Sequence, residues 1–115
     1  MDLYSDLLRL QNDLNISIKK LRETGTDFAE AERDYKITLR QEALKLRAEK
    51  NMPVTLIQQV VYGVPEVADK RFKRDVKEAK YQANQEAINS IKQQIRVIEG
   101  QLNREWSNTK WDSRF

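Results

Sequence analysis

The 115-residue chain contains neither cysteine nor histidine. Without cysteine there is no disulfide and no thiolate metal site. Without histidine, the commonest general base and the commonest transition-metal ligand are both missing. Catalytic triads, zinc centres and histidine-dependent phosphotransfer are therefore excluded. Glycine and proline are also scarce, with three and two residues. No stretch approaches the ~18 apolar residues of a membrane span. The opening "MDLYSDLLRL" carries an acid where a secretory signal would carry cations. The expectation is a cytoplasmic protein with no membrane contact, no cofactor and no small-molecule ligand.

What the chain does have is charge and helical periodicity. Charged residues make up 34% and apolar ones 39%, a balance typical of helix-rich and coiled-coil proteins. The length fits a single domain, residues 1–115. Net charge is +3, but 21 cations are interleaved with 18 anions, so nucleic-acid association is permitted without being demanded.

Apolar residues at Leu3, Leu7, Leu10, Leu14, Ile18 and Leu21 fall at three- and four-residue steps, on one stripe of a helix. After "TGT" the stripe resumes at Phe28, Ala31, Tyr35, Leu39, Ala43 and Leu46. Leu21, Phe28 and Tyr35 are spaced by sevens, so the phase survives Gly25. That favours one long helix over 3–50, since an interior glycine costs it only about 1 kcal/mol. The competing reading breaks the helix at Gly25 and restarts it at a capping pair, Asp27 and Glu30.

Pro53 ends the first helix near Lys50. Thr55-x-x-Gln58 has the form of a capping box, and Gly63 suits a helix stop, so residues 51–64 read as a tip with a short helix. Pro65 fits the first position of a second long helix over 65–107, with Glu66 and Asp69 near its positive end. Its stripe reads Phe72, Val76, Ala79, Ala83, then Ile88, Ile91, Ile95, Ile98, Leu102 and Trp106, with a stutter between Ala83 and Ile88. This places Phe72 and Trp106 in the core. Residues 108–115 read as a flexible tail, with Trp111 as a docking residue there.

The two long segments span roughly 70 Å and 65 Å at 1.5 Å per residue. The fold class is therefore all-α: a long antiparallel helical hairpin, coiled-coil-like, with a short helical tip. Tyr4, Leu8, Ile16, Ile37, Leu44, Tyr81 and Val97 lie off the main stripes. They imply a second apolar surface, covered by a second copy in a homodimeric four-helix arrangement.

Two sets of residues carry candidate contacts. In the tip, Leu56, Ile57, Val60, Val61 and Tyr62 form either a partner-binding knob or a cap on the open end of the hairpin. Around it, Arg40, Lys45, Arg47 and Lys50 of the first arm approach Lys70, Arg71, Lys73, Arg74 and Lys77 of the second, a grouping suited to phosphate backbones. A helix-turn-helix centred on Gly63 fails, because Gln59 and Asp69 stand where a tight helical turn needs a small and an aliphatic residue. Carboxylates at Asp27, Glu30 and Asp34, or at Glu66 and Asp69, are explained by helix N-terminal stabilisation. No phosphate loop or nucleophile elbow occurs, and the chain is not expected to be an enzyme.

Across residues 31 to 106, "RDYK", "EALKLRAE", "MPVTLI", "RFKRDV" and the closing "LNREW" resemble small helical proteins of phages and prophages of Gram-positive bacteria, often found among early, replication or recombination genes. The resemblance implies a phage origin, a bacterial cytoplasm and a link to DNA metabolism; it supplies no functional residues. The functional expectation is a non-enzymatic accessory of DNA replication or recombination, contacting nucleic acid non-specifically. Two alternatives are a module that captures or inhibits a host, defence or phage protein, and a coiled-coil assembly component.

Overall fold

A computed structural model describes residues 2–112, with side-chain surroundings as far as Asn108. Helix α1 runs Leu3–Lys50, α2 Val54–Val60 and α3 Pro65–Asp112, with a 3-10 turn at Val61–Gly63 before α3. The described residues contain no strand, and no helix among them is long and apolar enough to cross a membrane.

Asp2 starts α1: its carboxylate accepts from the Tyr4 N–H at 3.0 Å and from the Ser5 hydroxyl at 3.0 Å. The helix passes Gly25 unbroken and ends where Asn51 turns left-handed, at φ 49°, a conformation asparagine tolerates better than most residues. The turn is closed by the Met52 N–H donating to the Leu46 carbonyl at 3.3 Å, and by Arg47 Nη1 donating to the Met52 carbonyl at 3.0 Å.

The tip departs from the capping-box expectation. Pro53, at φ −60° and ψ 144°, is the residue that caps α2, with its carbonyl accepting from the Leu56 and Ile57 N–H groups, both at 3.0 Å. Thr55 already lies inside the helix and cannot take the extended cap geometry. Gly63 does not act as a left-handed stop, since no glycine has positive φ. The chain turns instead through the 3-10 bond from the Val64 N–H to the Val61 carbonyl (3.2 Å), and Val64 is extended at ψ 127°, as the residue before a proline prefers.

Contacts divide the chain into two compact units, Met1–Arg22 with Ala83–Phe115, and Glu23–Gln82. In the first, Leu10, Ile88 and Ile95 are buried, and Leu3 lies beside Gln101 and Arg104. Asn84 is buried there too, with Nδ2 donating to the Ser17 carbonyl at 3.1 Å. In the second, Phe28 meets Tyr81 at 5.9 Å between ring centroids, Asp27 meets Lys77 at 3.9 Å, and Arg74 stacks on Tyr35. Within each unit, rising numbers on α1 meet falling numbers on α3, so the helices are antiparallel. The second unit's core joins Tyr35, Leu46, Ile57, Val61 and Val67, the last fully buried at 0% exposure.

The inward face of α3 is not the expected stripe. Val67, Lys70, Arg74, Lys77, Tyr81, Asn84, Ile88, Ile91, Ile95, Ile98 and Leu102 are all buried or half-buried. Their steps alternate three and four without interruption, so there is no stutter. Phe72 and Trp106, expected in the core, are 68% and 69% exposed. Phe72 falls off the seam because cations and an asparagine occupy seam positions that an apolar pattern skips. Trp106 lies beyond Gln101 and Arg104, which are already level with Leu3 at the start of α1. The helix also continues to Asp112, beyond the expected 107. Nothing between Glu105 and Asp112 is glycine or proline, so propagation at one hydrogen bond per residue is not stopped. Residues 113–115 of the expected tail, and the side chain of Trp111, lie outside what is described.

Gly25 has a packing role. A Cβ there would sit 3.2 Å from the Tyr81 ring, tighter than ordinary contact. Alanine would gain about 1 kcal/mol of helix propensity and lose a similar amount by pushing the ring. A larger side chain has no such balance. Gly25→Leu is expected to lower stability by about 1–3 kcal/mol in urea unfolding, and an unchanged midpoint would show that the close approach does not matter.

Candidate functional site

The structure shares the nine cations of the expected basic patch among different tasks. Arg74 faces the seam, its guanidinium 4.7 Å from the centroid of the buried Tyr35 ring and bonded to Asp75 Oδ1 through Nη2 at 2.8 Å and Nε at 3.1 Å. The Asp75 hydrogen bond is the main cause holding Arg74 above the usual arginine range, against a smaller opposing loss of hydration. Arg71 lies over the Tyr62 ring at 5.7 Å. Lys73 pairs with Asp69 at 3.2 Å, Lys45 with Glu42 at 3.2 Å and Lys77 with Asp27 at 3.9 Å. Arg47 is tied to the Met52 carbonyl. Arg40, Lys50 and Lys70 make no ion pair among the described residues.

The packing role of Arg74 is testable. Removing its stem and the ring contact in Arg74→Ala is expected to cost about 1–2 kcal/mol. Arg74→Met, which keeps the stem, should recover most of it, as read by thermal unfolding; equal losses in both variants would assign the effect to charge alone.

The unit that carries this patch, Glu23–Gln82, holds twelve Lys and Arg against eleven Asp and Glu, a net charge of only +1. The cations therefore do not form a single-sign field. Most of their surface pairs are exposed and individually weak, yet each places a carboxylate where a phosphate would approach.

The tip divides by helical phase. Ile57 and Val61, one turn apart, are buried against Tyr35, Leu46 and Val67, so these two proposed contact residues serve as the cap of the core. Leu56, Val60 and Tyr62 face outward, and Val54 joins them on the surface. The knob and the cap are thus neighbouring faces of one short element, about 100° apart. Beside it, a shallow groove is floored by Leu39, Ala43, Ile57 and Val61 and rimmed by Lys36, Arg40, Gln58 and Tyr62. Val54 and the groove floor escaped the sequence reading. Val54 was hidden behind Pro53, and the floor depends on α2 lying against α1, which no local pattern encodes.

A second groove lies between α1 and α3 of this unit, with Asp27, Glu30 and Asp34 on one wall and Lys70, Lys73 and Lys77 on the other, around Phe72 and Val76. Among the described residues no three acidic, histidine or cysteine side chains converge as a metal site. No family model, curated protein or solved structure matches the chain.

Proposed function

We propose that this chain is a non-enzymatic binding protein that docks another protein against the outer face of its tip. The observation that carries this reading is the exposure of Leu56 and Val60, one turn apart on α2, whose other side is anchored in the core through Ile57. Apolar side chains gathered on a rigid support, next to an apolar-floored groove, fit a partner that inserts aliphatic or aromatic anchors. Lys36 and Arg40 at the groove rim favour acidic groups flanking those anchors.

A nucleic-acid role through the basic patch is the weaker reading, because the surrounding unit is nearly neutral and its cations are largely engaged. A bacterial, phage-type setting rests on the sequence resemblance alone; within it the partner would be a host or phage protein.

The test is a pull-down from a Gram-positive host lysate, with and without nuclease. Capture should survive nuclease and be lost with Leu56→Asp or Val60→Asp, in variants whose helicity and melting temperature are unchanged. Nuclease-sensitive capture, removed instead by Lys70→Glu and Lys73→Glu, would replace this reading with the nucleic-acid one. Large ordered oligomers of the chain alone would favour an assembly component.

A further inference from the structure

The second groove has features that the tip does not explain. Phe72, 68% exposed, stands on the outside of α3 beside Val76. The α1 wall is acidic and the α3 wall is basic. Glu30 on one wall and Lys70 on the other make no ion pair among the described residues, while Asp34 is met only by the adjacent Arg33 at 3.4 Å. A phosphate backbone would run along three carboxylates here. A second copy of the same groove would not.

From this we infer that the groove is a self-association surface, and that its charges select one arrangement of the two copies. Two-fold docking face to face admits an axis along the helices or one across them. The axis across the helices lays α1 on α1, acid wall on acid wall, and is opposed by like charge. The axis along the helices lays α1 of one copy on α3 of the other, acid wall on basic wall, with locally antiparallel neighbours.

The Asp27–Lys77 contact at 3.9 Å fixes which residues share a height in one copy. Because an axis along the helices preserves height, Glu30 then meets Lys73 of the second copy, and Asp34 meets Lys70. Phe72 and Val76 of each copy are covered in the same step, giving the interface an apolar centre between charged rims. Ile37 and Leu44 follow Glu30 at spacings of seven, so they continue the same face of α1 toward the tip. The dimer does not depend on the tip reading.

The test uses the full chain in sedimentation velocity and light scattering, at concentrations up to about 100 μM. The native protein should dimerise with rising concentration. Phe72→Asp should weaken this by roughly tenfold or more. An all-basic variant, Glu30→Lys with Asp34→Lys, and an all-acidic variant, Lys70→Glu with Lys73→Glu, should each be monomeric, and an equal mixture of the two should recover a dimer. The four substituted positions are on the surface or half-buried, and circular dichroism checks that each variant folds.

The chain has no native cysteine, so a spin label at Thr55→Cys reports orientation: the two tips should lie at the same end of the dimer. A native protein that stays monomeric, variants that dimerise regardless of wall charge, a mixture that stays monomeric, or tips at opposite ends would each overturn the proposal.

Discussion

Ile57→Asp is expected to unfold the tip, while Leu56→Asp, one residue away, leaves the fold intact and removes partner binding. Ile57 is buried in a cluster with Tyr35, Leu46, Val61 and Val67, and none of the residues packed there, including Leu39, Ala43, Met52 and Val64, is a cation. A carboxylate placed among them, where Ile57 is 7% exposed, is largely withdrawn from water, and Lys36 and Arg40 stand only at the rim of the adjoining groove. The expected cost is about 3–5 kcal/mol, a large share of the stability of a domain this size. Leu56 is 42% exposed, so the same change there stays within about 0.5 kcal/mol. Urea unfolding separates the two. If Leu56→Asp destabilised the protein as much as Ile57→Asp, the division of α2 into an anchored face and a free face would be wrong, and the partner surface with it.

That division was only partly legible in the sequence. The cluster of β-branched residues between two prolines marked the tip as apolar, but cap and knob differ by 100° around a helix of two turns. Only the direction from which α1 and α3 approach selects the inner face. The first arm was easier to read, because Leu3, Leu7, Leu10, Leu14, Leu21, Phe28 and Tyr35 are apolar seam positions. Ile18, expected on the same stripe, is nevertheless 47% exposed, and the half-buried Ser17 stands on the seam instead.

On α3 the apolar spacing points to residues off the seam. Phe72, Val76, Ala79 and Ala83 keep helical spacing, but the seam passes through Lys70, Arg74, Lys77 and Asn84. A pattern that scores cations as outward-facing cannot find it. Long aliphatic stems let lysine and arginine line a seam while their charges reach its edge, and Arg74 adds a ring contact with Tyr35. The stutter was the step from the wrong stripe to the right one. It also hid the acid-and-base groove, since Phe72 read as core cannot be read as surface.

Asn84 is the remaining polar seam residue, and its substitutions are expected to move stability in opposite directions. Its amide is buried, and Nδ2 donates to the Ser17 carbonyl at 3.1 Å, a main-chain acceptor on the facing helix. Asn84→Leu replaces a polar group by an aliphatic one where Ile88 and Ile91 already pack. The Ser17 carbonyl keeps its α-helical partner, so the variant should be as stable or more so, by up to about 1 kcal/mol. The change also removes a residue-specific contact between the two helices, the Asn84–Ser17 hydrogen bond. A buried polar residue in a repetitive seam fixes register at some cost in stability.

Asn84→Asp goes the other way. A carboxylate cannot donate, so at neutral pH two acceptors would face each other with a charge buried between them, costing about 3 kcal/mol. Burial and the facing carbonyl both raise the folded-state pKa of that Asp above its unfolded value of about 3.9. The penalty is therefore full above the raised pKa and fades as pH falls through it, because the protonated acid can donate to Ser17 again. Relative to the native chain, Asn84→Asp should regain stability between neutral pH and about pH 4, measured by urea unfolding at matched ionic strength. A penalty that did not change with pH would mean that the side chain turns out to solvent and that Ser17 is not its partner.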